Sequence, residues 1–270
     1  MQRTRACWLI APALFMAACA RKPQPPPDIT VTFLNVGQAD AALIRTPEND
    51  TILVDTGRDS RTAELLRSQG VTEIDLLILS HAHPDAAGGL SAILDAFPVH
   101  EIWYSGLDYS SQFRGLIERA EKYEAVQAGA RKELGKLTLT AFHPESLPLR
   151  SHSASVNDHS LVVKARYPSA DYLFPGDCEH DCWASLVTFH ASELRADVLK
   201  APNHGSSEGL AALVLNNVRP KTVVVSCGAN EEGLPQEDAL AMAQQAGARI
   251  LRTDQQGAIR CVGVHCSALR

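Results

Sequence analysis

Apolar residues in this chain fall in short runs separated by Gly-, Pro- and Asp-rich turns, and stretches with helical spacing lie between many of the runs. Residues 29–34, 41–44 and 51–54 alternate or are continuously apolar, which predicts three strands. The intervening Val36-Gly37-Gln38-Ala39-Asp40 and Pro47-Glu48-Asn49-Asp50 are turn-formers, so these strands should pair as an antiparallel meander. Residues 60–68 follow as an amphipathic helix with Ala63, Leu65 and Leu66 on one side, ended by Gly70. The run 74–79 predicts a buried strand, and Gly88-Gly89-Leu90 a loop giving way to a helix. Further strands are expected at 100–104, 137–140, 160–165, 171–174, 196–199, 222–225, 249–251 and 258–260. Helices are expected at 110–123, 179–190 and 235–246, with a polar loop over 144–158. Strand clusters separated by helices in both halves indicate an α/β (α+β) fold of two sheets packed together with helices outside.

The first residues do not belong to that pattern. Arg3 and Arg5 precede an apolar segment too short to span a membrane, which predicts an export signal over 1–18. Its end, Phe15-Met16-Ala17-Ala18-Cys19, resembles a bacterial lipobox, with Cys19 as the lipidated residue and ordinary cleavage as the alternative. Residues 19–28 are Pro-rich and suit a tether, leaving 29–270 for the folded domain. With 270 residues, 45% of them hydrophobic, one large domain is favoured. The net charge of -6, without a basic run after the N-terminus, speaks against a broad nucleic-acid footprint. Five cysteines remain in the domain, so at least one is unpaired within the chain; Cys178 with Cys182 and Cys261 with Cys266 are near enough to close small loops, and buried thiols are the alternative.

The chemistry gathers where strands end. The run 74–79 leads into Ser80-His81-Ala82-His83-Pro84-Asp85, and a loop at a strand's C-terminal end can turn His81, His83 and Asp85 toward one point, as a metal ion requires. Asp55, Asp177 and His204 each follow an apolar strand in the same way. Taken singly each suits a turn or cap, whereas together they suggest one pocket. Ser206 is either a phosphate contact or a turn hydroxyl.

The order Val54-Asp55-Thr56-Gly57, His81-x-His83-x-Asp85, Gly176-Asp177 and His204-Gly205-Ser206 resembles the metallo-β-lactamase superfamily. Asn35-Val36-Gly37-Gln38-Ala39-Asp40-Ala41, Asn157-Asp158-His159-Ser160-Leu161-Val162, Phe174-Pro175-Gly176-Asp177-Cys178-Glu179 and Arg252-Thr253-Asp254-Gln255-Gln256-Gly257-Ala258-Ile259 are similar to the hydrolase domain of ComEC-type DNA-uptake proteins, over about 29–262. The resemblance implies an αββα sandwich of two mixed sheets with a metal centre at one edge. It implies a first metal site of His81, His83 and a bridging Asp177, and a second of Asp85, Asp177 and His204. Zinc is the implied ion, one or two of them, with manganese or iron as alternatives. Asp55 would orient ligands by hydrogen bonding and Asp85 would orient the attacking hydroxide, the two catalytic assignments.

Departures from the family pattern qualify this. Ala86 stands where the family has a histidine of the second site, and Asn203 precedes His204 where two histidines are common. Asn157 stands in place of the histidine that completes the first site, with His159 and His152 near enough in sequence to substitute. The channel that accompanies the domain in competence proteins is not among these residues, so the expectation is the domain alone on a lipid anchor. Two readings follow. One is an exported, lipid-anchored hydrolase of the bacterial cell envelope, at the outer membrane or the periplasmic face of the inner one, acting on phosphodiesters or nucleic acid. The other is a degenerate binding or scaffold protein of the same fold. No protein partner is suggested by any motif.

Overall fold

A computed structural model describes residues 28–107, 110–146 and 155–269. The signal, Cys19, almost all of the tether and His152 lie outside them. In chain order the elements begin with β1 (Thr30–Phe33), β2 (Ala42–Arg45), β3 (Thr51–Val54), α1 (Arg61–Ser68), β4 (Leu76–Leu79), α2 (Pro84–Ala87), α3 (Leu90–Ala96) and β5 (Glu101–Tyr104). There follow α4 (Ser111–Ile117), β6 (Lys122–Ala125), β7 (Arg131–Leu134), β8 (Leu137–His143), β9 (Val162–Tyr167), β10 (Ala170–Phe174) and α5 (His180–His190). The last are β11 (Val198–Lys200), α6 (Ala212–Val218), β12 (Thr222–Val225), α7 (Glu237–Gln245), β13 (Arg249–Arg252), α8 (Thr253–Gln256), β14 (Ile259–Val262) and β15 (His265–Ala268).

Two mixed sheets result. The first has eight strands in the order β15-β14-β1-β2-β3-β4-β5-β6, and the second seven in the order β13-β12-β11-β10-β9-β8-β7. The expected meander is present, with β1 antiparallel to β2 and β2 to β3. Central strands bury both faces, because their alternating side chains serve two layers. On β4, Leu76 and Ile78 join the core between the sheets, while Leu77 and Leu79 pack beneath α1 and α3. On β10, Tyr172 and Phe174 face the other sheet, and Leu173 packs toward Trp183 and Leu186 of α5. The architecture is thus the αββα sandwich.

Several details differ from the sequence expectation. The helix expected at 110–123 stops at Ile117, and Lys122–Ala125 instead extends the first sheet in parallel pairing with β5. Strands β7 and β15 lie where no strand was expected; their alternation carries little apolar signal. Both close cysteine pairs form disulfides, Cys178 with Cys182 and Cys261 with Cys266, and among the described residues Cys227 is the free thiol, and it is buried.

Pairing direction positions the site. β3, β4 and β5 run parallel in the first sheet, and β10, β11 and β12 run parallel in the second. Their C-terminal ends carry the candidate residues into one crevice, the usual place for a ligand in parallel sheets.

Candidate metal centre

The first sheet supplies Asp55, Ser80, His81, His83 and Asp85. Asp55 follows β3 with φ 60, a left-handed conformation that turns its carboxylate toward the end of β4. One oxygen accepts the Ser80 backbone N–H at 2.8 Å, and the other accepts the Ser80 hydroxyl at 2.9 Å. Ser80 Oγ also lies 2.9 Å from His81 Nδ1. Since the hydroxyl proton points to Asp55, Nδ1 is assigned as the donor to Oγ, and the His81 lone pair is left on Nε2.

That Nε2 faces carboxylates. It lies 3.6 Å from Asp85 Oδ1 and 3.4 Å from Asp177 Oδ2, and neither contact is a hydrogen bond. His81 Nε2, Asp85 Oδ1 and His204 Nε2 are all buried atoms without a hydrogen-bond partner, and Asp177 Oδ2 lies close to both imidazoles. Lone pairs converging in this way need a cation among them, so the residues present fit a metal ion. His81, His83, Asp85 and Asp177 offer ligand atoms that all lie within 4.8 Å of one another.

Local geometry explains how they meet. His83 precedes Pro84, the first residue of α2, and its carbonyl accepts the N–H groups of Ala86 and Ala87. Asp85 sits in that short helix, with Oδ2 3.6 Å from Arg58. Asp177 follows Gly176, whose φ of 57 and contact with Ser80 leave no room for a side chain: a Cβ there would lie 2.6 Å from Ser80 Cβ. The Asp177 N–H donates to Ser160 Oγ at 3.1 Å. His204 lies in a turn with φ 49, and its Nδ1 meets the Ser226 carbonyl at 2.9 Å, which leaves Nε2 facing Asp177 Oδ2 at 4.0 Å.

Burial works against charge throughout this crevice, and the neighbours decide the outcome. For His81 burial is outweighed by Asp177 and Asp85, which raise its pKa to about 10 in the ion-free crevice; a proton on Nε2 there answers the same carboxylates that a metal ion would, and would be displaced by the ion. For Asp55 burial dominates and, with Asp40 beside it, pushes the carboxyl up to about 7. Asp177 is held far below the ordinary carboxylate range; burial opposes this, but His81, His204 and Lys200 prevail. His83 is lowered by burial and by the charge of His81.

The expected substitutes divide. Asn157 lies beside His83 with its Oδ1 unpartnered. His159 turns away, its Nδ1 on the Ser155 carbonyl, and is in neither ligand cluster. Ala86 is buried, and its carbonyl accepts both the N–H and the hydroxyl of Thr56. Ser206 Oγ accepts the Gly209 N–H, so it serves the turn. Asp85 and His204 do not share a cluster; His204 groups with Asp177 and Asp40.

Two residues given no role from the sequence belong here. Asp40 is 4% exposed and Lys200 5%, and they form an ion pair. Burial lowers the lysine pKa, but Asp40 and Asp177 overcome it and hold Lys200 above its ordinary value. The linear pattern does not single out Asp40 or Lys200, since a lysine closing the apolar run Val198-Leu199 reads as the strand's exit into water.

Known proteins resemble this chain in sequence and in fold. ComE operon protein 3 of Bacillus subtilis is 26% identical over 253 residues, covering 85% of this chain and 32% of that protein. Recombination protein 2 of Haemophilus influenzae is 32% identical over 212 residues, covering 75% of this chain and 24% of that protein. The chain thus spans about a third or less of the length of these curated relatives. The crystal structure of YhfI, a metallo-beta-lactamase fold protein from Bacillus subtilis, matches with a TM-score of 0.59 at 14% identity, over 87% of this chain and all of that one, a likeness of fold. The expected resemblance to ComEC-type proteins is borne out. Residues 34–229 match the family described as the Metallo-beta-lactamase superfamily, and the chain belongs to it.

Proposed function

We propose that the protein is a metal-dependent hydrolase of the cell envelope that cleaves phosphodiester or related ester bonds. The observation that carries this reading is the convergence of His81 Nε2, Asp85 Oδ1 and Asp177 Oδ2, joined by His83, on one point. His81, His83, Asp85 and Asp177 would hold the ion, with His204 Nε2 4.0 Å from Asp177 Oδ2. Two nitrogen and two oxygen donors suit zinc, with manganese or iron as alternatives. The chemistry that such an ion would supply there is Lewis acidity and a lowered pKa for water.

The chain's own groups do the rest. Asp55 and Ser80 hold the His81 ring in one tautomer. Asp85 is the more exposed of the two ligand carboxylates and is suited to orient an attacking water. Arg58, its side chain half exposed beside Asp85, supplies positive charge at the mouth for an anionic substrate. The name of recombination protein 2 makes nucleic acid the first phosphodiester to try.

The test is ion content and cleavage of bis(p-nitrophenyl) phosphate by the purified protein. The expected result is a bound divalent ion and metal-dependent cleavage that His83→Ala abolishes. A protein that takes up no ion on reconstitution, with its thermal stability unmoved by metal, refutes the enzyme and favours the scaffold reading that Ala86 suggests. Envelope placement rests on Cys19 as the lipidated residue; labelled palmitate should enter the protein and be lost in Cys19→Ser, and label surviving that change removes the anchor.

A further inference from the structure

The ligands come from both sheets: His81, His83 and Asp85 from the first, Asp177 from the second. Something must fix the distance between the two sets. Lys200, the last residue of β11 in the second sheet, is paired with Asp40 from the loop between β1 and β2 of the first. Its ammonium also donates to the Gly176 carbonyl at 3.2 Å and lies 3.6 Å from Asp177 Oδ1. Asp40 is held in turn by its own backbone: its N–H donates to the Asp85 carbonyl at 3.0 Å, and its carbonyl accepts the Gly57 N–H at 2.8 Å. The pair therefore links the backbone of one ligand, Asp85, to the side chain of another, Asp177.

The same contacts sort the oxygens of Asp177. Oδ1 faces Lys200, and Oδ2 faces His81 Nε2. Asp40, Asp177 and His204 also come within 4.8 Å of one another, but this second cluster already has its cation. His204 Nδ1, 3.8 Å from Asp40, is committed to the Ser226 carbonyl, and Asp40 to Lys200. Phe33, Val54 and Phe174 line the small cavity beside the pair, which restricts water there and makes the charges hold each other more firmly.

We propose that the Asp40 and Lys200 ion pair is a cross-sheet clamp that positions Asp177 as a one-oxygen ligand and thereby sets the affinity of the metal centre. Both are positioning residues, since neither belongs to the cluster of His81, His83, Asp85 and Asp177. The inference rests on the metal-centre reading above.

The experiment compares the unsubstituted full chain with Lys200→Met and with the double variant Asp40→Asn/Lys200→Met, measuring zinc and manganese dissociation constants by calorimetry and thermal stability with and without metal. Lys200→Met is expected to weaken ion binding about 10- to 100-fold, the range for losing a partner of a metal ligand, and to lower stability because Asp40 is left as a lone buried charge. The double variant removes that lone charge, so stability should recover while ion binding stays weak. Where Lys200→Met alone does not fold, the double variant carries the test. Recovery of ion affinity together with stability would mean a purely structural pair and would overturn the clamp, as would unchanged affinity in both variants. Absence of ion binding in the unsubstituted chain overturns the metal-centre reading and the clamp with it, whereas normal binding there with unaltered variants removes the clamp alone.

Discussion

Ser80 decides which nitrogen of His81 faces the ligand cluster. Its hydroxyl spends its one proton on Asp55 and can only accept from Nδ1, so the lone pair is delivered at Nε2. Ser80→Ala strands a buried Nδ1–H and deprives Asp55 of a donor. Metal affinity should fall about 10- to 100-fold, and stability by about 1–3 kcal/mol. Calorimetric titration with zinc measures the first, and an unchanged dissociation constant would show that the relay does not act on the ion. This relay was hidden in the sequence, although its ends were not. His81, His83, Asp85, Asp177 and Asp55 were legible because each follows an apolar run or shares a short alternating motif. Ser80, Asp40 and Lys200 act through partners on other strands, and a linear pattern does not reveal which strand end will face which. Lys200 even ends an apolar run, where strand patterning alone makes it look like the point at which the strand emerges into water.

Among the elements, those that bury two faces announced themselves. Leu76-Leu77-Ile78-Leu79 and Val223-Val224-Val225 are apolar throughout because one alternate set faces the partner sheet and the other faces helices. Edge strands have no such constraint. β6 reads Lys122-Tyr123-Glu124-Ala125 and β7 reads Arg131-Lys132-Glu133-Leu134, mostly exposed charge of the kind that keeps sheet edges from pairing with other chains. The Glu- and Arg-rich stretch before β6 therefore looked like a continuing helix. The Gly88-Gly89 turn was legible as a loop, yet its purpose appears only in three dimensions. A Cβ on Gly88 would lie 2.4 Å from the Arg58 and Pro84 carbonyl oxygens, and one on Gly89 2.3 Å from the Thr56 carbonyl oxygen. The glycines let α2 dock closely against the loop after β3, which sets His83 and Asp85 beside the ends of β3 and β4.

Across the whole molecule, the two sheets are tied by polar contacts as well as by their shared core. Arg249 on β13 donates to the Cys266 carbonyl on β15 at 3.0 Å, near one pair of edges. Near the other pair, Glu101 on β5 receives Lys132 from β7 at 2.7 Å, Lys122 from β6 at 3.1 Å and the Trp103 indole N–H at 2.7 Å. Burial of Glu101 raises its pKa, but Lys132, Lys122 and Trp103 outweigh it and leave the carboxyl below its ordinary 4.5. A carboxyl lowered in the folded state stabilises fully above its unfolded pKa and loses that contribution as pH falls through the folded one. Glu101→Gln keeps the shape and the acceptor for Trp103 but removes the charge facing two ammonium groups. It should cost about 2 kcal/mol at pH 7, within the range for hydrogen bonds to a charged group, and progressively less below about pH 4.5 as the native carboxyl protonates. Urea unfolding of both proteins at pH 7 and in mild acid measures the difference. If the gap is the same at both pH values, charge at Glu101 does not join these edges, and the apolar core between the sheets holds them without it.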